Sequence, residues 1–251
     1  MMRLFRARLL NCLSCKSFSS TTHYPVLHRP LLNEMRSHFS HDDALLMLDC
    51  TLGGGGHAEK ILKEFPNARL VGIDIDSEML VIAKTKLDPF INKKQVALYH
   101  DNYTMFEDIN FDLDLDLSAF KKKERRFNFI LADLGFNSYQ LSDPHRGFSY
   151  QLDGELDMRY DRTRNDTPTC ADIVNSAAEY ELTEIFTKFG EENYSRHLAK
   201  SIIKARKGRI IKTTKELNDI IWNAFRSTTN AQRYKIVTKA FQVPSRLKCR
   251  H

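Results

Sequence analysis

The sequence predicts an α/β protein: a parallel sheet built around a nucleotide-type cofactor site, followed by a helical subdomain. Three observations predict it. From Ala44 the chain runs strand, glycine turn, helix, strand. Asp74 ends the second strand about 20 residues after the glycines. After Asp133 the rhythm gives way to a long polar stretch and then to helical periodicity.

The elements follow in order. Ala44-Leu-Leu-Met-Leu-Asp49 is a continuous apolar run, the mark of a strand buried on both faces of a parallel sheet, and Gly53-Gly-Gly-Gly56 follows it. Ala58, Ile61, Leu62 and Phe65 then share one helical face. Leu70-Val-Gly-Ile-Asp74 reads as the second strand, and Met79, Leu80, Ala83 and Leu87 mark the next helix. Gln95 to His100 gives a third strand and Phe127 to Asp133 a fourth. Phe111 to Lys123 alternates acids with apolar residues before three Lys and reads as an insertion or surface loop. Residues 137–169, punctuated by Pro144, Gly147, Gly154 and Pro168, read as an active-site loop. Residues 170–242 form the helical subdomain, with faces set by Leu182, Ile185, Phe186 and Phe189, by Leu198, Ile202 and Ala205, and by Leu217, Ile220, Ile221 and Phe225. Thr213-x-x-Glu216 is a capping box before the last of these.

Composition narrows the function. The 251 residues are 42% hydrophobic and 28% charged, an ordinary globular balance. No apolar run reaches the roughly 20 residues that span a bilayer. Five scattered Cys fit reduced thiols, and Cys12-x-x-Cys15 lacks a second Cys/His pair, so no metal is expected. The net charge of +6 belongs to the two ends: all 32 acids lie between Glu34 and Asp219. Arg226, Arg233, Lys235, Lys239, Arg246, Lys248 and Arg250 follow without an acid, a segment able to touch phosphate. Residues 1–22 alternate Arg3, Arg6 and Arg8 with Leu and Phe and then turn Ser/Thr-rich, the composition of a mitochondrial presequence, with a disordered basic arm as the alternative.

The glycines let a ligand approach the backbone, and the helix they open offers unpaired N–H groups. Asp74 is placed to accept both hydroxyls of a ribose. Gly53-x-Gly55-x-x-Ala58 also fits the loose Rossmann dinucleotide fingerprint, which keeps a nicotinamide-dependent oxidoreductase open. A plain glycine turn beside a solvated Asp produces the same pattern.

A longer constellation is more specific. Asp49-x-Thr51-x-Gly53-Gly-Gly-Gly-His57, Gly72-Ile-Asp74-x-Asp76, Asp133-Leu-Gly135-x-x-Ser-x-Gln140, Arg146-Gly-Phe-Ser149, Asp153-Gly154, Leu156-Asp-Met-Arg159 and Gly190-Glu-Glu192 occur in order. From about His23 to Gln242 the sequence resembles the bacterial small-subunit ribosomal RNA cytosine-N4 methyltransferases and looks like their mitochondrial counterpart. The resemblance implies a class I methyltransferase (Rossmann-like) sheet over 23–136, S-adenosylmethionine as cofactor, a mitochondrial small-subunit rRNA or assembling ribosomal subunit as partner, and the mitochondrial matrix as location.

It also implies that Gly55, Gly56, His57, Asp74, Tyr103, Asp133 and Gln140 contact the cofactor. Tyr103 follows the third strand, where its ring would cover an adenine or simply pack between helix and sheet. Asp133 and Asn137, the latter where the family shows Ser, are the candidate catalytic residues, and Phe136, Tyr139 and Phe148 are aromatics available to a base drawn from its stack. Thr238-Lys-Ala-Phe-Gln242 matches a family helix, after which Val243 to His251 reads as an unrelated tail, with Pro244 expected to break the helix. The chain is therefore expected to carry an incomplete sheet with an open apolar edge, which leaves a non-catalytic RNA- or assembly-binding form as a further alternative.

Overall fold

Four short parallel strands organise the first half of the chain in a computed structural model that describes residues 28–112, 114–120, 126–189 and 192–247. The proposed presequence, Lys121 to Lys123, Gly190, Glu191 and the last four residues of the tail lie outside the described residues. The chain divides into two compact units between Gly135 and Phe136, one residue before the boundary expected.

In the first unit β1 (Leu46–Asp49), β2 (Arg69–Asp74), β3 (Val96–His100) and β4 (Phe129–Leu131) form one sheet in the order β3-β2-β1-β4. Leu48 pairs with Val71 on one side and Ile130 on the other, all parallel. Successive side chains alternate between faces. Met47, Leu70 and Val96 pack with Ala58, Ile61 and Leu62 of α2 (Gly56–Glu64) and with Leu80, Ala83 and Leu87 of α3 (Ser77–Ile91). Leu46, Leu48, Val71, Ile73, Ala97 and Tyr99 occupy the opposite face. Both faces are therefore dry, which is why the strands read as unbroken apolar runs.

Among the described residues of this unit, no α-helix contributes to the core on the opposite face. The return from β3 to β4 contributes a 3-10 turn, Tyr103–Asp108, and the segment expected to be a surface loop. Instead Leu115 and Leu117 are buried against the sheet, with Phe111, Phe120 and Phe127 beside them. The acidic-apolar alternation is that of a segment with one wet face: Asp112, Asp114 and Asp116 take the alternate positions. The guanidinium of Arg69 secures it, donating to the Asp116 carbonyl at 2.7 Å.

Two differences at the ends of this unit have local causes. α1 (His28–His38) was not foreseen, because Pro30 and a run of polar residues hide an apolar side of Leu31, Leu32 and the fully buried Met35. β4 is shorter than the expected 127–133 because the Asp133 N–H turns to the Thr51 hydroxyl instead of continuing the ladder. Among the described strands β4 pairs only with β1, and its Ile130 is 58% exposed.

The second unit opens with α4 (Ser138–Ser142) and an irregular stretch to Thr169, then α5 (Cys170–Ser176), α6 (Glu179–Phe189), α7 (Glu192–Arg206), α8 (Thr214–Ala224) and α9 (Asn230–Leu247). Its core joins Leu182, Phe186, Leu198, Ile202, Leu217, Ile221 and Phe225, the helical faces expected, to Phe148, Leu156 and Met158. The expected polar loop is thus largely interior. Arg146 is buried within it and donates to the carbonyls of Arg159 and Tyr160, replacing a regular backbone ladder with one side chain. The Thr213 box forms as expected: its hydroxyl accepts the Glu216 N–H, and the Glu216 carboxylate accepts the Thr213 N–H. Pro244 does not break α9, whose backbone stays helical to Leu247. So close to a helix end, a proline removes a single hydrogen bond from the last turns. No helix among the described residues is long and apolar enough to cross a membrane.

Candidate active site

The strand order reverses at β1, with β2 on one side and β4 on the other. Loops leaving the C-terminal ends of β1 and β4 therefore diverge, which is where open α/β sheets hold ligands. The first unit gathers Asp49, Asp74, His57 and Asp133 along this edge.

Asp74 ends β2 with its carboxylate pinned from two directions. The Gly53 N–H donates to Oδ2 at 2.6 Å and the Asp76 N–H to Oδ1 at 2.8 Å. Burial pushes its pKa up to about 6, against the pull of those two N–H groups. The glycine loop is shaped by packing as well. Gly55 has φ +74, and a Cβ there would sit 3.0 Å from Leu87 of α3; one on Gly54 would lie 3.3 Å from Ile82. Glycine lets the loop lie against α3 while its backbone reaches Asp74.

Asp49, quoted in the motif but not assigned a role by the sequence, is buried at the end of β1. Its Oδ1 accepts the Thr51 N–H at 3.1 Å. Burial first, then the neighbouring charges of Asp74 and Asp133, raises its pKa to about 7. Thr51 in turn accepts the Asp133 N–H at 2.7 Å, so Asp49-x-Thr51 anchors the backbone of the residue expected to act on substrate. The Asp133 side chain itself is 65% exposed. The spacing Asp49-x-Thr51 was the only sequence signal for this link.

His57 lies in the first turn of α2, its Nε2 at 3.7 Å from Asp133 Oδ2 and its Nδ1 buried without a hydrogen-bond partner among the described residues. Burial lowers its pKa, outweighing the opposing pull of Asp133. Tyr103 opens the turn after β3 and packs, half-buried, against the sheet face that holds Tyr99.

The remaining candidates belong to the second unit and to each other. Asn137 caps α4 by accepting the Gln140 N–H at 2.9 Å, while Gln140 Oε1 accepts the Asn137 N–H at 3.1 Å. Both side-chain oxygens are engaged in this box, a local task the family motif did not disclose. Phe148 is fully interior, in a triad with the half-buried Phe136 and Tyr160.

The residues present fit a nucleoside cofactor. Asp74 retains a second lone pair on each oxygen, the glycine loop keeps bare backbone beside it, and His57 holds an unsatisfied ring nitrogen. This sheet, loop and acid make a nucleotide-binding α/β scaffold of the kind that class I S-adenosylmethionine-dependent methyltransferases use. The chain belongs to the MraW methylase family, whose pattern it matches over residues 20–244.

Its curated relatives include a ribosomal RNA small subunit methyltransferase H of Persephonella marina, 37% identical over 88% of this chain and 69% of that protein. The proteins of the same name from Clostridium botulinum (strain Loch Maree / Type A3) and Picosynechococcus sp. are 40% and 35% identical, over 70% and 78% of this chain. The chain spans between 53% and 69% of the length of these three relatives. The family match bears out the resemblance drawn from the motifs and leaves the nicotinamide reading without support.

Proposed function

We propose that this protein transfers a methyl group from S-adenosylmethionine to the exocyclic N4 amine of a cytosine in mitochondrial small-subunit ribosomal RNA. The observation that carries the proposal is the convergence of a doubly anchored Asp74, the His57–Asp133 pair and buried Asp49 on the reversal point of the sheet. The relatives' name, ribosomal RNA small subunit methyltransferase H, supports the substrate class. The basic, acid-free residues 1–22 support the mitochondrial location.

When bound, S-adenosylmethionine supplies a methyl group on a positively charged sulfur. Asp74 accepts the ribose hydroxyls, His57 and the N–H groups at the start of α2 face the amino-acid end, and Tyr103 borders the adenine. A cytosine amine is a poor nucleophile, since its lone pair is delocalised into the ring. Asp133 therefore does two things: it accepts a hydrogen bond that orients the amine, and it takes up the proton the nitrogen sheds. Orientation of this kind can supply a large part of the acceleration.

Tritiated methyl transfer to small-subunit rRNA tests the proposal. Asp133→Ala is expected to lose transfer by about a hundredfold or more while S-adenosylhomocysteine binds within about threefold of wild type. Equal losses would make Asp133 a binding residue only, and wild-type protein that binds rRNA without methylating it would point to the non-catalytic form.

Cofactor binding should also depend on pH. Asp74 accepts two hydroxyls only when ionised, so affinity is full above its pKa of about 6 and falls as the pH drops through that value. Calorimetry with S-adenosylhomocysteine between about pH 5 and pH 8 reads this directly. A flat profile would separate Asp74 from the ligand.

A further inference from the structure

α8 and α9 carry a surface that the chemistry at the sheet edge does not use. Trp222, on α8, lies beneath the Arg233 guanidinium, whose carbon is 4.5 Å from the ring centroid. Tyr234 meets the same indole edge-on at 5.0 Å. Arg233 is tethered on its own helix: Nη2 donates to Asn230 Oδ1 at 2.8 Å, and Nε is buried without an acceptor among the described residues. Tyr234 is 55% exposed, and Arg226, in the turn between the helices, and Lys235 are exposed as well. From Ile220 to Leu247 the chain has no Asp or Glu, while Arg226, Arg233, Lys235, Lys239 and Arg246 fall within it.

The combination selects a partner. Arg226 and Lys235 reach solvent beside an exposed phenol and a guanidinium set over an indole, so the surface offers positive charge and planar faces together. A bilayer surface would require an apolar band, whereas Trp222 is half-buried against the helical core, with a guanidinium and a phenol at its ring. An acidic peptide would satisfy the charges and leave the planes unused. Single-stranded RNA satisfies both, since its bases stack on aromatic and Arg planes while its phosphates sit on neighbouring bases of the protein.

We propose that the Trp222–Arg233–Tyr234 surface binds single-stranded RNA, with a base stacked on Tyr234 and Arg233 and the phosphates on Arg226 and Lys235. This rests on the rRNA substrate proposed above and adds a contact that belongs wholly to the second unit. Trp222 is the single tryptophan of the chain, so its emission reports on this surface alone.

Titrating the full chain, without cofactor, with a single-stranded RNA of about 12 nucleotides should quench that emission. Tyr234→Ser should weaken binding about tenfold. The double variant Arg226→Glu/Lys235→Glu should weaken it further and lower the salt slope by about 1.4, two phosphate contacts' worth. RNA that binds without changing Trp222 emission, or variants that keep wild-type affinity and slope, would overturn the proposal. So would quenching by anionic phospholipid vesicles in place of RNA. The methyl-transfer proposal fails separately: wild-type chain that binds RNA here yet methylates none overturns that proposal and leaves this one standing.

Discussion

Replacing Asp74 by Ala is expected to reduce affinity for S-adenosylhomocysteine by at least about tenfold and, if both ribose bonds are lost, by well over a hundredfold. Hydrogen bonds to a charged acceptor are worth about 1.5–3 kcal/mol each, and every 1.4 kcal/mol is a factor of ten. The variant also strips Gly53 and Asp76 of their acceptor, releasing the glycine loop from the end of β2. Asp74→Asn separates the two contributions. One amide oxygen can keep one N–H, but its NH₂ group then faces the other donor, so the loop stays half-anchored and the ligand loses its second acceptor. Binding should therefore fall in the order wild type, Asn, Ala. Thermal unfolding measured alongside calorimetry decides the role: lower stability with an unchanged dissociation constant would reduce Asp74 to a pin for the loop.

The parts of this architecture that were legible in the sequence are those governed by short-range rules. Leu45 to Asp49 reads as a strand because both neighbouring layers are apolar, and Ala58 to Phe65 reads as a helix because only one side of it is. Thr213 and Glu216 announce their own cap. What escaped depends on partners far along the chain. Nothing near Leu115 and Leu117 indicates that they close a sheet face, since their partners Leu46, Val71 and Ala97 come from three different strands. Arg146 looks like a surface residue until the carbonyls it bonds, at Arg159 and Tyr160, are brought around it.

The site divides along the same line. Gly53 to His57 and Asp74 are visible because a glycine turn and a strand-ending acid are local features of the chain. The Asp49–Thr51–Asp133 linkage joins β1 to Asp133, two residues past the end of β4, across 82 positions between Thr51 and Asp133, and no spacing rule reaches that far. Asn137 and Gln140 show the converse. The motif marked them as functional, and the structure adds a local task, since their oxygens close a capping box. A motif records that a residue type is needed at a position without separating the ligand it touches from the turn it holds. For Gln140, comparing Gln140→Glu with Gln140→Ala would expose the difference, because Glu retains the reciprocal oxygen and Ala does not.

The second large effect is expected at Gly154. A methyl group there would lie 1.9 Å from the Pro144 carbonyl oxygen and 2.5 Å from its carbon, distances no rotamer can relieve because both partners are backbone. Neither side is free to withdraw. The Gly154 N–H donates to the Thr214 hydroxyl at 3.0 Å, its carbonyl accepts the Thr214 N–H at 3.0 Å, and Thr214 is completely buried at the start of α8. On the other side the turn at Pro144–Arg146 leads into Gly147, held at φ +72 with space for no side chain, since a Cβ there would meet the Glu155 carbonyl at 2.3 Å. Gly154→Ala must therefore break the Thr214 bonds or displace the turn that carries buried Arg146. We expect a loss of about 3 kcal/mol or more, seen as a fall of more than about 10 °C in the melting temperature. Gly208→Ala is the control, because its added methyl would meet only the Ala205 carbonyl at 3.7 Å, an ordinary contact. If the two variants melted together, the Pro144 turn would be shown to move aside without cost, and the close approach at Gly154 would not be what requires glycine there.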